Sequence, residues 1–394
     1  MRTFERTHQW ISFRIDLRQA SPRLWTNLGE AASKCEHIAG VPLRPAIAEM
    51  LHRLYLAKGA AATTAIEGNT LTEDEVLRHL EGRLKLPQSR EYLAREVDNI
   101  VSACNRIGER LRAGNGALTA EDVREFNRQV LANLTLEEGV VPGELRTYSV
   151  VVGNVYRGAP AEDCEYLLGR MCEWLSGADF QAPPSMETVY AIIRAIIAHI
   201  YLAWIHPFGD GNGRTARLVE FQILLAAGVP TPAAHLLSNH YNQTRTEYYR
   251  QLDRAGKSGG EILPFLEYAV QGFVGGLREQ LGFIREQQWD VTWENYIHDV
   301  FHDKSSPAES RQRRLALDLA GRGGPVAVGK IPDLTPRLAR AYATKTSKTL
   351  QRDLVVLEEL GLIERGPQGV RAKREIILAF LPWRKPTKAG EKPA

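Results

Sequence analysis

Twelve residues, His206-Pro-Phe-Gly-Asp-Gly-Asn-Gly-Arg-Thr-Ala-Arg217, gather an imidazole, a carboxylate, glycines and two guanidinium groups into one short stretch. Gly211 and Gly213 bracket Asn212 where one apolar helical segment ends and another begins, running through Leu225 to a Gly228 stop. Glycines at such a junction let backbone N–H groups converge on an anion, and the new helix adds its positive end. The segment is therefore read as a phosphate-binding loop. Arg214 and Arg217 lie one turn apart, in the first turn, where the helix dipole disfavours cations. Their placement implies a strongly anionic ligand, with guanidinium forks on two phosphate groups of a polyphosphate. Asp210 is acidic in a site otherwise suited to anions, which makes sense if it holds Mg2+ bridging phosphate oxygens. His206 is the only side chain of the loop that titrates near neutrality, and it could take the proton from an attacking hydroxyl. Phe208 reads as an apolar anchor, and His199, one heptad earlier, as a structural residue.

These residues need elements to position them. Residues 188–205 are hydrophobic on nearly every side, which predicts a helix central in the core. Residues 44–66 predict a helix stopped by Gly68, and Thr72 with Glu75 forms a capping box for the next. Gly114-Asn-Gly116 reads as a linker, after which Thr119 caps another helix. The one good hairpin signal spans 149–156, where Val150, Val151 and Val152 meet Gly153-Asn154. After Pro307 the character changes: helices over 309–320, 335–342 and 347–360, then residues 362–365, a Gly366-Pro-Gln-Gly369 turn and a strand over 374–380. Three helices followed by a hairpin is the winged-helix order. The expected divisions are thus 1–115, an N-terminal helical region; 116–285, a catalytic domain; 286–306, a helical linker; 307–382, a winged-helix domain; and 383–394, a disordered tail.

Composition is that of an ordinary globular chain, 44% hydrophobic and 25% charged. No apolar run reads as crossing a bilayer uninterrupted, and the start of the chain lacks a secretory h-region, so a cytoplasmic location without membrane contact is expected. The four cysteines have no paired short spacing and are read as reduced thiols. Net charge is +3, but residues 304–394 hold 19 Lys and Arg against 9 Asp and Glu, leaving −7 for the remainder. A basic module follows an acidic body. A P-loop kinase is excluded by the absence of its Gly-rich signature. His199, His206, His235 and His240 lack the spacing of a metal centre.

The 206–217 segment resembles the signature of the Fic (Fido) family, His-Pro-Phe-x-[Asp/Glu]-Gly-Asn-Gly-Arg-x-x-Arg, at every fixed position. The resemblance implies a mainly α fold, an all-helical core with a β-hairpin flap, and transfer of AMP from Mg-ATP to a Ser, Thr or Tyr hydroxyl of a protein, the chain itself included. By that resemblance His206 is the general base and Asp210 the Mg2+ ligand. Gly211, Asn212, Gly213 and Arg214 cradle phosphates, and Arg217 holds the γ-phosphate. Gly213, where a phosphorylating branch has Lys, points to the AMP-transferring branch. The hairpin, with Val150, Val151, Val152 and Gly153, falls where such proteins register a target segment by strand addition. Tyr248 and Tyr249 fall where similar proteins line the adenine pocket, with simple helix packing as the alternative; Gly256 stands where some relatives have an Asn.

Residues 63–68, Thr-Thr-Ala-Ile-Glu-Gly, resemble the family's inhibitory motif, in which the Glu pairs with the second arginine. Carried over, Thr63, Glu67 and Gly68 form a brake, with Glu67 holding Arg217. In the C-terminal module, Leu350, Leu354 and Leu357 recur at core spacing. That leaves Lys345, Lys348, Thr349 and Arg352 to face a DNA major groove, with Arg371, Lys373 and Arg374 near phosphates on a wing. Duplex DNA and a protein stay open as partners of 307–382, as does a homodimer. Two other functions remain alongside the transferase: a DNA-binding regulator with a nucleotide-sensing domain, and hydrolytic removal of AMP.

Overall fold

The most apolar stretch of the chain becomes the helix Glu187–Ile205, 19 residues with mean hydropathy 1.7. Contrary to expectation, that length and apolarity suffice to cross a bilayer, but 78% of the stretch is buried within the protein, as a core helix requires. The computed structural model describes residues 2–152 and 156–378. Gly153, the Gly153-Asn154 turn and the tail 383–394 lie outside the described residues.

The fold is mainly α. In chain order its helices are α1 (Phe4–Thr7), α2 (Pro22–Gly40), α3 (Pro45–Ala65), α4 (Glu73–Leu80), α5 (Glu91–Arg112), α6 (Ala120–Val130), α7 (Cys164–Leu175), α8 (Glu187–Ile205), α9 (Asn212–Ala226), α10 (Thr231–Ala234), α11 (Leu236–Gln243), α12 (Arg245–Lys257), α13 (Leu263–Val300), α14 (Pro307–Ala320), α15 (Pro336–Tyr342) and α16 (Ser347–Glu359). Two antiparallel ribbons join them: β1 (Val151–Val152) with β2 (Tyr156–Arg157), and β3 (Ile363–Gly366) with β4 (Gly369–Ala372).

The chain divides into two compact units, Met1–Leu281 and Gly282–Ala394. In the first, α8 lies along α9, and α3, α5 and α6 also pack on α9. A single apolar core runs from Phe4 to Leu277. The boundary expected at Gly114–Gly116 is thus a loop inside one core, because α5 before it and α6 after it cover the same helix. Capping fixes the ends of these helices: Thr72 Oγ1 accepts from Glu75 N at 3.2 Å while Thr72 N donates back to Glu75 at 2.9 Å.

The second unit has its own core, in which Trp293, Ile297 and Phe301 pack with Leu315, Leu319, Leu354 and Leu357. Residues 286–306, expected as a linker, therefore supply part of that core. The strand expected over 374–380 is also corrected. β3 pairs instead with β4, directly after the turn, and Arg374–Ile377 is a 3-10 turn. Gly369 (φ +132°) begins β4 because a side chain there would collide with the Val326 backbone. Val326 in turn exchanges two 2.8 Å hydrogen bonds with Val370.

Candidate active site

The end of α8 and the start of α9 form the floor of a cavity of about 550 Å³ in the first unit. His206 terminates α8 in the left-handed region (φ 48°, ψ 59°), a conformation that costs an L-residue about 1 kcal/mol or more. Gly211 (φ 76°) precedes α9, and a side chain there would crowd Asn127 and Leu131. Asn212 folds its amide back over the loop: Oδ1 accepts from Phe208 N at 3.0 Å and Nδ2 donates to Phe208 O at 2.9 Å. That side chain is engaged with the loop backbone, and the Asn212 backbone N–H stands among the first-turn amides of α9 that have no partner within the helix. Phe208, 1% exposed, is the anchor its type suggests.

Both motif arginines are buried, and each meets a carboxylate. Arg214 Nη2 lies 3.2 Å from both Asp210 oxygens, and its Nη1 lies 3.4 Å from Glu96. Arg217 Nη2 donates to Glu67 Oε1 at 2.6 Å and to the Thr63 carbonyl at 2.9 Å. Arg217 Nε and Nη1 have no partner among the described residues. Glu67 reaches this arginine from just beyond α3, where Gly68 (φ 104°) turns the chain, and its side chain remains 34% exposed. A side chain at Gly213 would occupy the place of the Glu67 carboxylate, so glycine there is what admits it. Burial alone would raise the Glu67 carboxyl; the Arg217 guanidinium overrides it and holds the group below its ordinary value.

Burial brings the His206 imidazole down to about 4, with the Arg146 guanidinium acting the same way and the Glu67 and Asp210 carboxylates opposing. The ring is therefore neutral, and able to accept a proton, throughout the physiological range. His206, Glu67, Gly213, Tyr248 and Tyr249 line the same cavity. Tyr248 is buried and bonds His199 Nε2 at 2.8 Å; His199 Nδ1 lies 3.2 Å from Glu220, which also accepts from Tyr241 at 2.9 Å. His199 thus anchors a cavity-lining tyrosine. Tyr249 is 43% exposed and donates to Ile66 O at 3.3 Å, beside Glu67.

Sequence reasoning passed over three residues that build the site. Asn127 donates to Asp210 O at 2.9 Å and accepts from Gly143 N at 2.9 Å. Glu96 links Arg214 to Asn69, whose amide donates to it at 2.8 Å. Arg146 donates to His206 O at 2.7 Å. Of the expected flap residues, Val151 is 51% exposed on β1, paired opposite Arg157, beside half-buried Val150.

In the second unit, Lys345, Lys348 and Arg352 are exposed near the start of α16 and form no ion pair among the described residues. Two of the three expected wing cations are otherwise engaged. Arg371 pairs with Glu364 and Glu375, and Arg374 pairs with Asp290 at 2.7 Å and lies over the Trp289 ring. Lys373 alone is left exposed there.

Residues 117–224 match the model of the Fic/DOC family. The chain is 30% identical over 230 residues to protein adenylyltransferase fic-1 of Caenorhabditis briggsae, covering 58% of this chain and 42% of that one. Among solved structures it resembles Fic-1 (residues 134–508) of C. elegans, with a TM-score of 0.54 and 26% identity over 66% of this chain and 73% of that one. A Fic family protein from Desulfovibrio desulfuricans G20 shares the fold, with a TM-score of 0.53 and 21% identity over 90% and 96%. The chain spans less than half the length of the curated relatives it matches.

Proposed function

We propose that this protein carries a Fic adenylyltransferase site that transfers AMP from Mg-ATP to a Ser, Thr or Tyr hydroxyl of a protein, itself included, and that Glu67 restrains it. The observation that carries the reading is Arg217: a buried guanidinium with two nitrogens unpartnered among the described residues, held by Glu67, which lines one cavity with the neutral His206 imidazole. In water-poor surroundings unpaired guanidinium donors are costly, and a phosphate would satisfy them.

The roles follow the positions. His206 accepts the proton of the incoming hydroxyl. The Arg214 guanidinium and the first-turn amides of 211–213 hold phosphate oxygens, and Arg217, once released by Glu67, takes the terminal phosphate and aligns the reacting one for in-line attack. Asp210, half exposed and paired with Arg214, suits a hard cation that draws its other ligands from phosphates and water. Bound there, Mg2+ would neutralise developing charge on the phosphates. Thr63 contributes its carbonyl rather than its hydroxyl to the brake, and Gly68 the turn that brings Glu67 inward. Tyr248 and Tyr249 form the wall for the base, and the exposed edge at Val151 takes the target segment.

The test is labelling with α-labelled Mg-ATP. Glu67→Gly should raise self-labelling at least about tenfold, and adding His206→Ala should remove it by a factor of about 100 or more while nucleotide still binds. Undiminished labelling in the double variant would sink the base assignment. Incubating the labelled product with Mg2+ separates the hydrolytic direction, in which label would be lost.

A second activity is favoured by the unpaired Lys345, Lys348 and Arg352 at the start of α16: binding of duplex DNA. Lys348→Glu with Arg352→Glu should abolish salt-sensitive duplex binding, and equal binding by the variant would remove this reading.

A further inference from the structure

The carbonyls that end α8 are claimed by residues from the hairpin side of the cavity. Tyr156 Oη donates to Trp204 O at 2.6 Å, and Ala159 N donates to the same oxygen at 3.3 Å. Arg146 takes the next two, donating from Nη2 to Ile205 O at 3.4 Å and from Nε to His206 O at 2.7 Å. The same guanidinium donates to Tyr148 O at 2.6 Å and to Ala159 O, on either side of the β1–β2 ribbon. The Arg146 backbone N–H donates to Pro207 O at 3.0 Å.

Arg146 is 4% exposed and has no carboxylate partner among the described residues. A buried cation without a counter-charge is ordinarily unfavourable. Here the negative end of α8 and four carbonyl oxygens stabilise it. An apolar side chain would fill the volume without that desolvation, but it would not fix backbone groups from two chain segments at once. His206 needs such fixing, because its left-handed backbone is uncommon for any residue other than glycine. Gly158 allows the close approach: a side chain there would stand 2.9 Å from Arg146 Nη2, 3.0 Å from His206 Cβ and 3.2 Å from Val150.

Resting on the adenylyl-transfer reading, we infer that Arg146 is a positioning residue that joins the base of the ribbon to the His206 backbone, so that a target segment laid along β1 presents its hydroxyl at a set distance from the imidazole. Arg146 itself does not line the cavity. Loss of Arg146 therefore slows transfer without weakening nucleotide binding.

The full-length Glu67→Gly protein serves as parent, with single-turnover self-labelling from α-labelled Mg-ATP as the readout. Arg146→Gln is expected to lower the saturating rate about 100-fold, the size of effect a misplacement of about 1 Å produces, while the half-saturating ATP concentration stays within about twofold. Arg146→Lys, which keeps the charge but replaces the planar fork by a single ammonium nitrogen, is expected to recover about tenfold of that loss. Gly158→Ala keeps Arg146 but wedges the joint apart, and is expected to show the same rate-specific loss; it decides the matter should Arg146→Gln not fold. Parent-like rates in the Gln and Ala variants, or equal falls in rate and ATP affinity, overturn the inference. A parent that does not label itself overturns the transferase reading instead.

Discussion

Each unit of this chain contains an arginine bonded to a carboxylate, and the two pairs differ in how fully they are satisfied. In the second unit Asp353 receives Arg311 Nε at 2.6 Å and Nη2 at 2.9 Å, Gln312 at 3.0 Å and Tyr342 Oη at 2.9 Å, and is almost wholly out of water. In the first, Arg217 gives Glu67 one nitrogen and leaves two unpartnered among the described residues, and the Glu67 side chain keeps a third of its surface in solvent. A completed network fixes α14, α15 and α16 to each other and has no capacity left for a ligand. An incomplete one keeps donors in reserve, and its partner, a third exposed, can be replaced by a ligand that satisfies those donors. A guanidinium and a carboxylate thus serve architecture in one place and, on the proposed reading, exchange in the other.

The comparison breaks most readily at Asp353. Asp353→Ala removes the buried acceptor shared by Arg311, Gln312 and Tyr342, so the second unit should lose about 3 kcal/mol of stability by denaturant unfolding, with ATP labelling by the Glu67→Gly parent unaffected. A loss under about 1 kcal/mol would mean that the network is not the structural element described.

The converse variant sharpens it. Glu67→Gly removes a partner that ATP is proposed to replace and leaves buried Arg217 only the Thr63 carbonyl. The unliganded protein should therefore lose stability, by less than the Asp353 variant because one hydrogen bond rather than four is lost. ATP should bind about tenfold more tightly, worth about 1.4 kcal/mol. Thermal melts with and without Mg-ATP measure both quantities, since a ligand that binds only the folded state raises the melting temperature with its affinity. An unaltered ATP-induced shift would show that Glu67 does not compete for Arg217.

The parts of this arrangement that the sequence made legible are local. His206 to Arg217 carries its chemistry in consecutive residues, so residue type and helix position sufficed. Glu67 was found through its motif, although nothing short of folding could bring it to an arginine 150 positions away. Arg146, Asn127 and Glu96 were invisible for a related reason: they meet the loop across 60, 83 and 118 residues and stand in no pattern of their own. The misplaced strand has a different origin. Gly369 starts β4 because of a close approach to Val326, a contact that β-propensity around residues 376–380 does not register. The supposed linker did carry a signal, for Trp293, Ile297 and Phe301 recur at helical spacing as a core-facing stripe.

The smallest effect concerns protons. His206 has a folded value of about 4 against an ordinary 6.5, because burial disfavours its charged form. Between those two values the unfolded chain binds a proton that the folded protein does not, so stability falls as pH drops from 6.5 toward 4 and is fully present above 6.5. At pH 5.5 this one group should take away about 1 kcal/mol relative to pH 7.5. His235, lowered to about 3 by burial, adds its own acid loss, so wild type alone cannot isolate the term. His206→Asn can, since it removes only the active-site imidazole. Its unfolding free energy should decline less than that of wild type over the same range, by about 1 kcal/mol. Identical slopes would place the imidazole near its ordinary value, where it would be largely protonated at pH 5.5 and where the contrast between an open, poised site and a closed structural network would lose its chemical half.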